Sequence, residues 1–345
     1  MNKPSVSIIV PVYNVAPYVE GCIRSVMRQT YDGPIECIVV DDCGTDDSMA
    51  IVERLIAEYN GPVTFKILHH THNRGLSAAR NTGMDAASSD YLLFLDSDDE
   101  LTDDCVRVLS EPLVKNYYEV VVGNFLQVDE VGRVVQRKKR LEIPDNTVLE
   151  KDEILAAYKK KDWPIAAWNK LYLTKFVRDN HLRFYEGLIY EDVLWSAQIA
   201  ILLNKLYAVN QVTYLYKKRQ GSIITSTERG MDVISFPVIV IELCKFVNNQ
   251  NVYNMLIHEF IQEYQNIALK CCVGSLSDFT NVYKKMRRFS KPGILKLYRA
   301  NRFHLKKYIR DSHFLLPEKI APYWHYINYY KLLPIIRIWK KKLIS

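Results

Sequence analysis

Tyr91-Leu92-Leu93-Phe94-Leu95-Asp96-Ser97-Asp98-Asp99 is an apolar run, long enough for one buried strand, that ends in a cluster of carboxylates. Leu, Phe and Tyr on successive positions can be buried on both faces, as a strand inside a parallel sheet requires. The acids at its tip would repel one another without a cation. A hard divalent metal holding a phosphate is the natural partner, since Mg2+ and Mn2+ take oxygen ligands and keep coordination positions for a diphosphate.

Two other apolar runs end in polar groups in the same way. Ser5 to Val10 leads into Pro11-Val12-Tyr13-Asn14, and Ile35 to Val40 leads into Asp41-Asp42-Cys43-Gly44-Thr45-Asp46-Asp47-Ser48. Between them Val19, Ile23 and Val26 keep helical spacing after Pro17, a good first-turn residue. Ile51, Leu55 and Tyr59 do so after Asp46, Asp47 and Ser48, which are expected to cap that helix. A third strand near Thr64 to Leu68 precedes Asn73-Arg74-Gly75 and a helix presenting Leu76, Ala79, Gly83 and Ala86 on one side. The order β-α-β-α-β-α-β predicts an open α/β sheet in which right-handed crossovers bring the polar strand ends to one edge, where ligands sit.

The 345 residues are 48% apolar, enough for one elaborated domain or two, with no repeat or low-complexity linker. Met1-Asn2-Lys3-Pro4 runs straight into a strand without a cleavage-site pattern, so export is not expected. The most membrane-like stretch, 233–247, is shorter than the ~20 residues a span needs and contains Pro237, Glu242 and Lys245. The seven cysteines include no CxxC pair, which points to reduced thiols in a cytoplasmic protein.

Charge is uneven. The chain carries a net +7, yet residues 230–345 hold 19 basic and 7 acidic side chains. There the basic residues alternate with aromatics, as in Lys284-Lys285-Met286-Arg287-Arg288-Phe289 and Trp339-Lys340-Lys341-Lys342. Such a region is either a solvated helical face or a contact for an anionic membrane. No helix-turn-helix, zinc or RNA-module motif accompanies it, so nucleic acid is not an expected partner.

Pro11-Val12-Tyr13-Asn14, Val39-Val40-Asp41-Asp42, Asn73-x-Gly75-x-x-x-Ala79-Arg80-Asn81-x-Gly83 and Leu95-Asp96-Ser97-Asp98-Asp99, in that order, resemble the family-2 inverting glycosyltransferases of GT-A fold, of the type that builds bacterial polysaccharides and glycans. Trp168-Asn169-Lys170-Leu171-Tyr172, Tyr190-Glu191-Asp192-Val193-Leu194-Trp195 and Tyr214-x-Tyr216-x-x-Arg219-x-Gly221-Ser222-Ile223 are similar to later elements of that family, so the resemblance covers roughly residues 5–227. Beyond residue 230 nothing is recognised.

The resemblance implies a metal-dependent hexosyltransferase that uses a UDP-sugar or dTDP-sugar. Pro11, Tyr13 and Asn14 line the nucleotide pocket, with Tyr13 stacking on the base. Asp42 accepts from the N3–H of uracil, a role suited to an ionised carboxylate, which only accepts. Asp96 and Asp98 form the DxD pair, with Asp98 the direct ligand of Mn2+ or Mg2+, Asp96 facing the ribose or the metal's water, and Ser97 between them at the nucleotide. Arg80 orients the acids or the diphosphate; the alternative is a surface arginine paired with Asp85. Asp99 is either a supporting group or a helix cap. Asp192, with Glu191 beside it, is the expected catalytic base, although the start of a helix favours its weakly basic ionised form. Arg219 and Ser222 belong to a segment expected to close over the diphosphate. Trp168, Asn169 and Trp195 are assigned to the acceptor side, with support beneath it as the alternative reading of the Trp168-Asn169-Lys170 stretch. His69, His70 and His72 lack an acid or Cys at ligand spacing, and only loop positions are expected of them.

The expected architecture is a GT-A domain over 1–229, with a nucleotide half (1–118) and an acceptor half (119–229), followed by a basic helical extension over 230–345. Ile257, Ile261 and Tyr264 keep helical spacing there, while Pro292, Pro317, Pro322 and Pro334 are expected to cut the later part into short pieces. The extension would rest on the inner face of the plasma membrane, near a glycan or lipid-linked acceptor, or form a homodimer interface. The competing readings are a sugar-phosphate nucleotidyltransferase, which expects a Gly-rich loop where Pro11-Val12-Tyr13-Asn14 stands, a phosphoacceptor receiver domain, and a non-catalytic sugar-nucleotide-binding relative.

Overall fold

The computed structural model describes residues 3–129, 132–136, 141–218, 230–250, 252, 254–271, 276–299 and 312–327. The chain divides into two compact units, Met1–Ser226 and Thr227–Ser345.

In the first unit the elements run β1 (Val6–Val12), α1 (Ala16–Met27), β2 (Ile35–Asp41), α2 (Ser48–Glu58), β3 (Thr64–His69), α3 (Leu76–Ala86), β4 (Tyr91–Phe94), β5 (Glu100–Leu101), α4 (Cys105–Ser110), β6 (Val120–Val128), β7 (Val134–Gln136), β8 (Thr147–Glu150), α5 (Asp152–Lys160), β9 (Lys170–Leu173), α6 (Thr174–Asp179), α7 (Glu191–Leu202) and β10 (Lys205–Lys217). The sheet order is β3-β2-β1-β4-β9-β6-β10-β5, with β7 on β6 and β8 on β10. Strands β1 to β4 are mutually parallel, and β9 runs antiparallel to both β4 and β6. All seven residues of β1 and all four of β4 are buried, as a strand covered on both faces must be.

Register decides which loops meet. Val12 lies opposite Asp41, Asp41 opposite His69, and Ile9 opposite Phe94. The segments that follow β1, β2, β3 and β4 therefore leave the sheet along one edge. β1 runs two residues further than its apolar pattern predicts and takes in Pro11; β4 stops opposite Ile9, so Pro11 has no ladder partner on that side. Beneath this edge Phe94, Tyr172, Phe184 and Trp195 form an aromatic cluster, with the Phe184 and Trp195 rings stacked 4.2 Å apart and the others at 5.2–5.9 Å.

The second unit is helical: α8 (Gly230–Gln250), α9 (Met255–Cys271), α10 (Leu276–Arg299) and α11 (Ala321–Ile327). Ile257, Ile261 and Tyr264 are buried along one side of α9. The expected break at Pro292 does not occur, because α10 continues through it, as α8 does through Pro237. A proline removes one hydrogen bond and clashes one turn back, at about 3 kcal/mol; buried Met286 and Ser290 before it and buried Gly293 after it hold the helix together. Pro322 instead sits in the first turn of α11, where its missing N–H costs nothing. Pro334 lies outside the described residues. Among the described residues no helix is long and apolar enough to cross a membrane.

Candidate active site

Tyr13 stands 45% exposed at the tip of β1 while Pro11 is buried below it. Asn14 takes a left-handed φ of 50°, and its Oδ1 accepts from the Thr45 N–H at 2.7 Å, tying the loop after β1 to the loop after β2. Gly44 permits this approach: a Cβ there would come within 3.0 Å of Asn14 Oδ1 and 3.1 Å of its nitrogen. Asp46 serves two helices. Its Oδ1 accepts from the N–H of Ser48 (3.1 Å), the first residue of α2, as expected, while its Oδ2 accepts from Ala16 N–H (2.8 Å) and Ser48 Oγ accepts from Val15 N–H (2.9 Å), so the same loop also caps α1.

Asp42 is only 2% exposed. Its Oδ1 accepts from Arg74 N–H (2.8 Å) and meets His70 Nδ1 (2.6 Å), and its Oδ2 accepts from Gly75 N–H (2.8 Å). The carboxylate thus pins the turn before α3, where Gly75 has a φ of +84°. One lone pair on Oδ2 is left for an incoming donor. His70, for which the sequence offered only a loop position, braces this acid and reaches Thr82 Oγ1 at 2.9 Å through its other ring nitrogen.

Arg80 is the centre of the site. Its side chain is 1% exposed, and its guanidinium donates to Asp96 Oδ1 (2.8 Å), Glu191 Oε1 (2.7 Å) and Asp192 Oδ1 (3.1 Å), with the Phe184 ring 5.1 Å away. Asp85 pairs with Arg183 instead. These contacts favour the reading in which Arg80 orients the acids over the one in which it pairs with Asp85 at the surface. The three neighbouring carboxylates hold it ever more firmly protonated against the cost of burial.

Asp96 and Asp98 are partly exposed at the end of β4, while Ser97 between them is 6% exposed and Asp99 is 1% exposed. Asp99 accepts from the Tyr214 hydroxyl (2.7 Å) and Lys217 N–H (2.7 Å), fastening the acidic turn to β10. Its role is therefore support and not a helix cap. Burial, with Asp98 and Asp96 adding, pushes its carboxyl well above the usual range. Among the described residues no three His, Cys, Asp or Glu side chains are grouped to hold a metal alone. Two partly exposed carboxylates at one strand end nevertheless fit the oxygen-donor chemistry of a hard cation whose remaining ligands would be phosphate oxygens and water.

Glu191 and Asp192 open α7 after Tyr190, whose φ is +64°. Asp192 keeps 26% of its side chain open. Burial of the remainder, helped by Glu191 and Asp96, pushes its carboxyl up to about 7, against the pull of Arg80 and Lys170. Burial thus outweighs the helix-terminus effect that favours ionisation. Lys170 is fully buried on β9, donates to the Ala166 and Trp168 carbonyls, and is pushed down to about 7 by desolvation.

The acceptor-side assignments are revised in part. Trp195 and Asn169 are fully buried and Trp168 is 7% exposed. Trp168 stacks on Tyr214 at 4.4 Å and on Tyr216 at 5.8 Å, and Asn169 donates to Asn124 O and accepts from Thr213 Oγ1. Their burial favours the reading of support beneath the acceptor side. Arg219 and Ser222 lie outside the described residues.

Arg80 thus joins Asp96, Glu191 and Asp192, the last with a carboxyl near neutrality, next to Asp98 at the end of β4, while Tyr13 is exposed at the end of the neighbouring strand β1. A family model described as glycosyl transferase family 2 matches residues 7–186. Glycosyltransferase GlyA of Streptococcus pneumoniae is 32% identical over 224 residues, covering 63% of this chain and 31% of GlyA, so the match spans less than a third of that relative. Cholesterol galactosyltransferase of Borreliella burgdorferi is 26% identical over 282 residues, 78% of this chain and 76% of that protein. The crystal structure of Staphylococcus aureus TarS residues 1–349 with UDP-GlcNAc superposes with a TM-score of 0.62 at 20% identity, covering 86% of this chain and 87% of that one, a likeness of fold.

Proposed function

The chain belongs to glycosyl transferase family 2, and from that premise we propose that it is an inverting, metal-dependent hexosyltransferase carrying a sugar from a UDP-sugar, or a dTDP-sugar, to a hydroxyl of a glycan or lipid-linked acceptor. The observation that carries this reading is the Arg80 bridge: one buried guanidinium sets the donor-side Asp96 and the acceptor-side Glu191 and Asp192 in fixed relation. The UDP-GlcNAc held by the TarS structure supports the donor class.

Asp192 takes the proton of the acceptor hydroxyl as its oxygen bonds to the anomeric carbon; the bond from that carbon to the diphosphate oxygen breaks on the opposite face, and the nucleoside diphosphate leaves. A carboxyl near 7 is a stronger base than an ordinary aspartate yet is half ionised at neutral pH. Glu191 and Arg80 hold its orientation, which supplies part of the rate as positioning. Tyr13 stacks on the base, Asn14 and Ser97 shape the pocket, and Asp42 offers its remaining lone pair to the ring N–H. A cation held by Asp98 with Asp96 would neutralise charge developing on the leaving diphosphate. The names of the relatives span cholesterol and poly(ribitol phosphate), so the acceptor is set by residues outside this shared machinery. We place the enzyme in the cytoplasm, at the inner face of the membrane.

Purified protein incubated with a panel of UDP- and dTDP-sugars should release nucleoside diphosphate slowly by hydrolysis, and only with Mn2+ or Mg2+. Release that persists in EDTA would overturn the metal assignment. A retained anomeric configuration in the glycoside product would overturn the single displacement.

A further inference from the structure

In the second unit α11 and the residue before it turn large apolar side chains outward. Ile320, Tyr323, Trp324 and Ile327 fall at i, i+3, i+4 and i+7, the spacing of a helix's apolar face, yet they are 55%, 49%, 45% and 44% exposed. The other side of α11 faces α10, with Tyr326 5.1 Å and His325 6.1 Å from the Phe279 ring and Ala321 buried. Leu315, 47% exposed, extends the apolar stretch. Single exposed apolar residues need no explanation, but a contiguous set that includes Trp and Tyr marks a docking surface.

A basic stripe runs along α10, the helix on which α11 packs. On α10, Lys284, Arg288 and Lys291 recur at i, i+4 and i+7 and are exposed, while Phe279, Tyr283, Met286 and Ser290 are buried on the opposite side. Arg287 lies between the two faces. It is 6% exposed, and its guanidinium donates to the carbonyls of His313 (2.9 Å) and Leu316 (2.5 Å). Those contacts lay the segment that begins the apolar stretch along the flank of α10 from which the basic side chains project.

We infer that this surface seats on an anionic lipid bilayer, with the α11 face and Leu315 at the headgroup–acyl boundary and the α10 stripe among the headgroups. Tyr and Trp suit that boundary, having an apolar body and a polar tip. Lys and Arg reach the phosphates while their stems cover apolar surface. A second copy of this chain is the poorer occupant, because a two-fold contact would set two stripes of the same sign against each other. Vesicle binding is read without donor or acceptor, so its failure leaves the transfer reaction standing, and the reverse holds too.

The experiment is flotation of the full chain with vesicles of phosphatidylcholine alone or with about one third phosphatidylglycerol, near 0.1 M salt and again at high salt. Wild type should float with the anionic vesicles only, less at high salt. The exposed substitutions Y323S/W324S and, separately, K284E/R288E/K291E should each weaken binding at least tenfold without changing Tm or UDP-sugar hydrolysis. Wild type that stays at the bottom, or variants that float as wild type does, would overturn the inference. So would light scattering that shows a dimer dispersed by Y323S/W324S, or nucleic acid bound in preference to vesicles.

Discussion

Replacing Arg80 with Met keeps the aliphatic stem and removes the charge that three acids share at 2.8, 2.7 and 3.1 Å. Deleting one partner of a buried ion pair costs roughly 3–5 kcal/mol. Asp96 and Asp192 retain 25% and 26% exposure, so water offsets part of the loss and about 3 kcal/mol is expected. For a unit of this size that lowers Tm by roughly 6–12 °C. The second effect is on the base. A neighbouring cation lowers a carboxyl by about 1–3 units, so its removal raises Asp192 by a similar amount from about 7. The ionised form is the active one, and the pH–rate limb moves to higher pH. At pH 7 the ionised fraction falls from about a half to roughly a tenth or less, and kcat/KM falls about fivefold or more, recovering as pH rises through about 8–10. The assay is UDP release against pH, with thermal melts in parallel. Arg80→Lys keeps a charge but cannot fork to three acids, so it should melt lower yet keep its limb closer to wild type. A Met variant that melts lower while its pH limb stays in place would refute the claim that Arg80 tunes the base.

Asp192→Asn should reduce kcat by roughly 10²–10⁴ with donor binding intact. It should also be no less stable than wild type above pH 7: the folded carboxyl is raised to about 7, so its stabilising share is present at acid pH and lost as pH rises through 7. In wild type kcat/KM should drop about tenfold per pH unit well below 7, and a profile flat down to pH 5 would count against Asp192 as the base. Asp98→Ala should leave Tm unchanged without ligand but abolish the added stabilisation that UDP with Mn2+ gives, measured by differential scanning fluorimetry. Trp168→Ala should cost about 3–5 kcal/mol in urea unfolding, because it empties the stack on Tyr214 and Tyr216; a loss confined to KM would restore a direct acceptor role.

Much of the site was legible because the chemistry sits at strand ends. Once Val6–Val12, Ile35–Asp41 and Tyr91–Phe94 are read as parallel neighbours, Tyr13, Asp42 and Asp98 follow at one edge. The roles of individual polar groups were harder. His70 stands 28 residues from Asp42, and only the β2–β3 register brings their side chains to 2.6 Å. Asp46 caps α1 from the other side of a strand, a partnership that local cap patterns do not encode. Trp168, Asn169 and Trp195 lie in segments that resemble a known family, but a motif does not say whether a ring lines a cleft or lies under it.

The sequence by itself determined the first four strands and their succession along the chain, the acids at their tips and the charge of the C-terminal third, because apolar period, chain direction and residue chemistry are local properties. Tertiary structure alone decided that Arg80, Asp96, Glu191 and Asp192 make one cluster, that burial brings Asp192 near neutrality, and that α11 turns its apolar face to solvent. These depend on distance and on exclusion of water between residues up to 112 positions apart, and neither quantity is carried by any stretch of sequence alone.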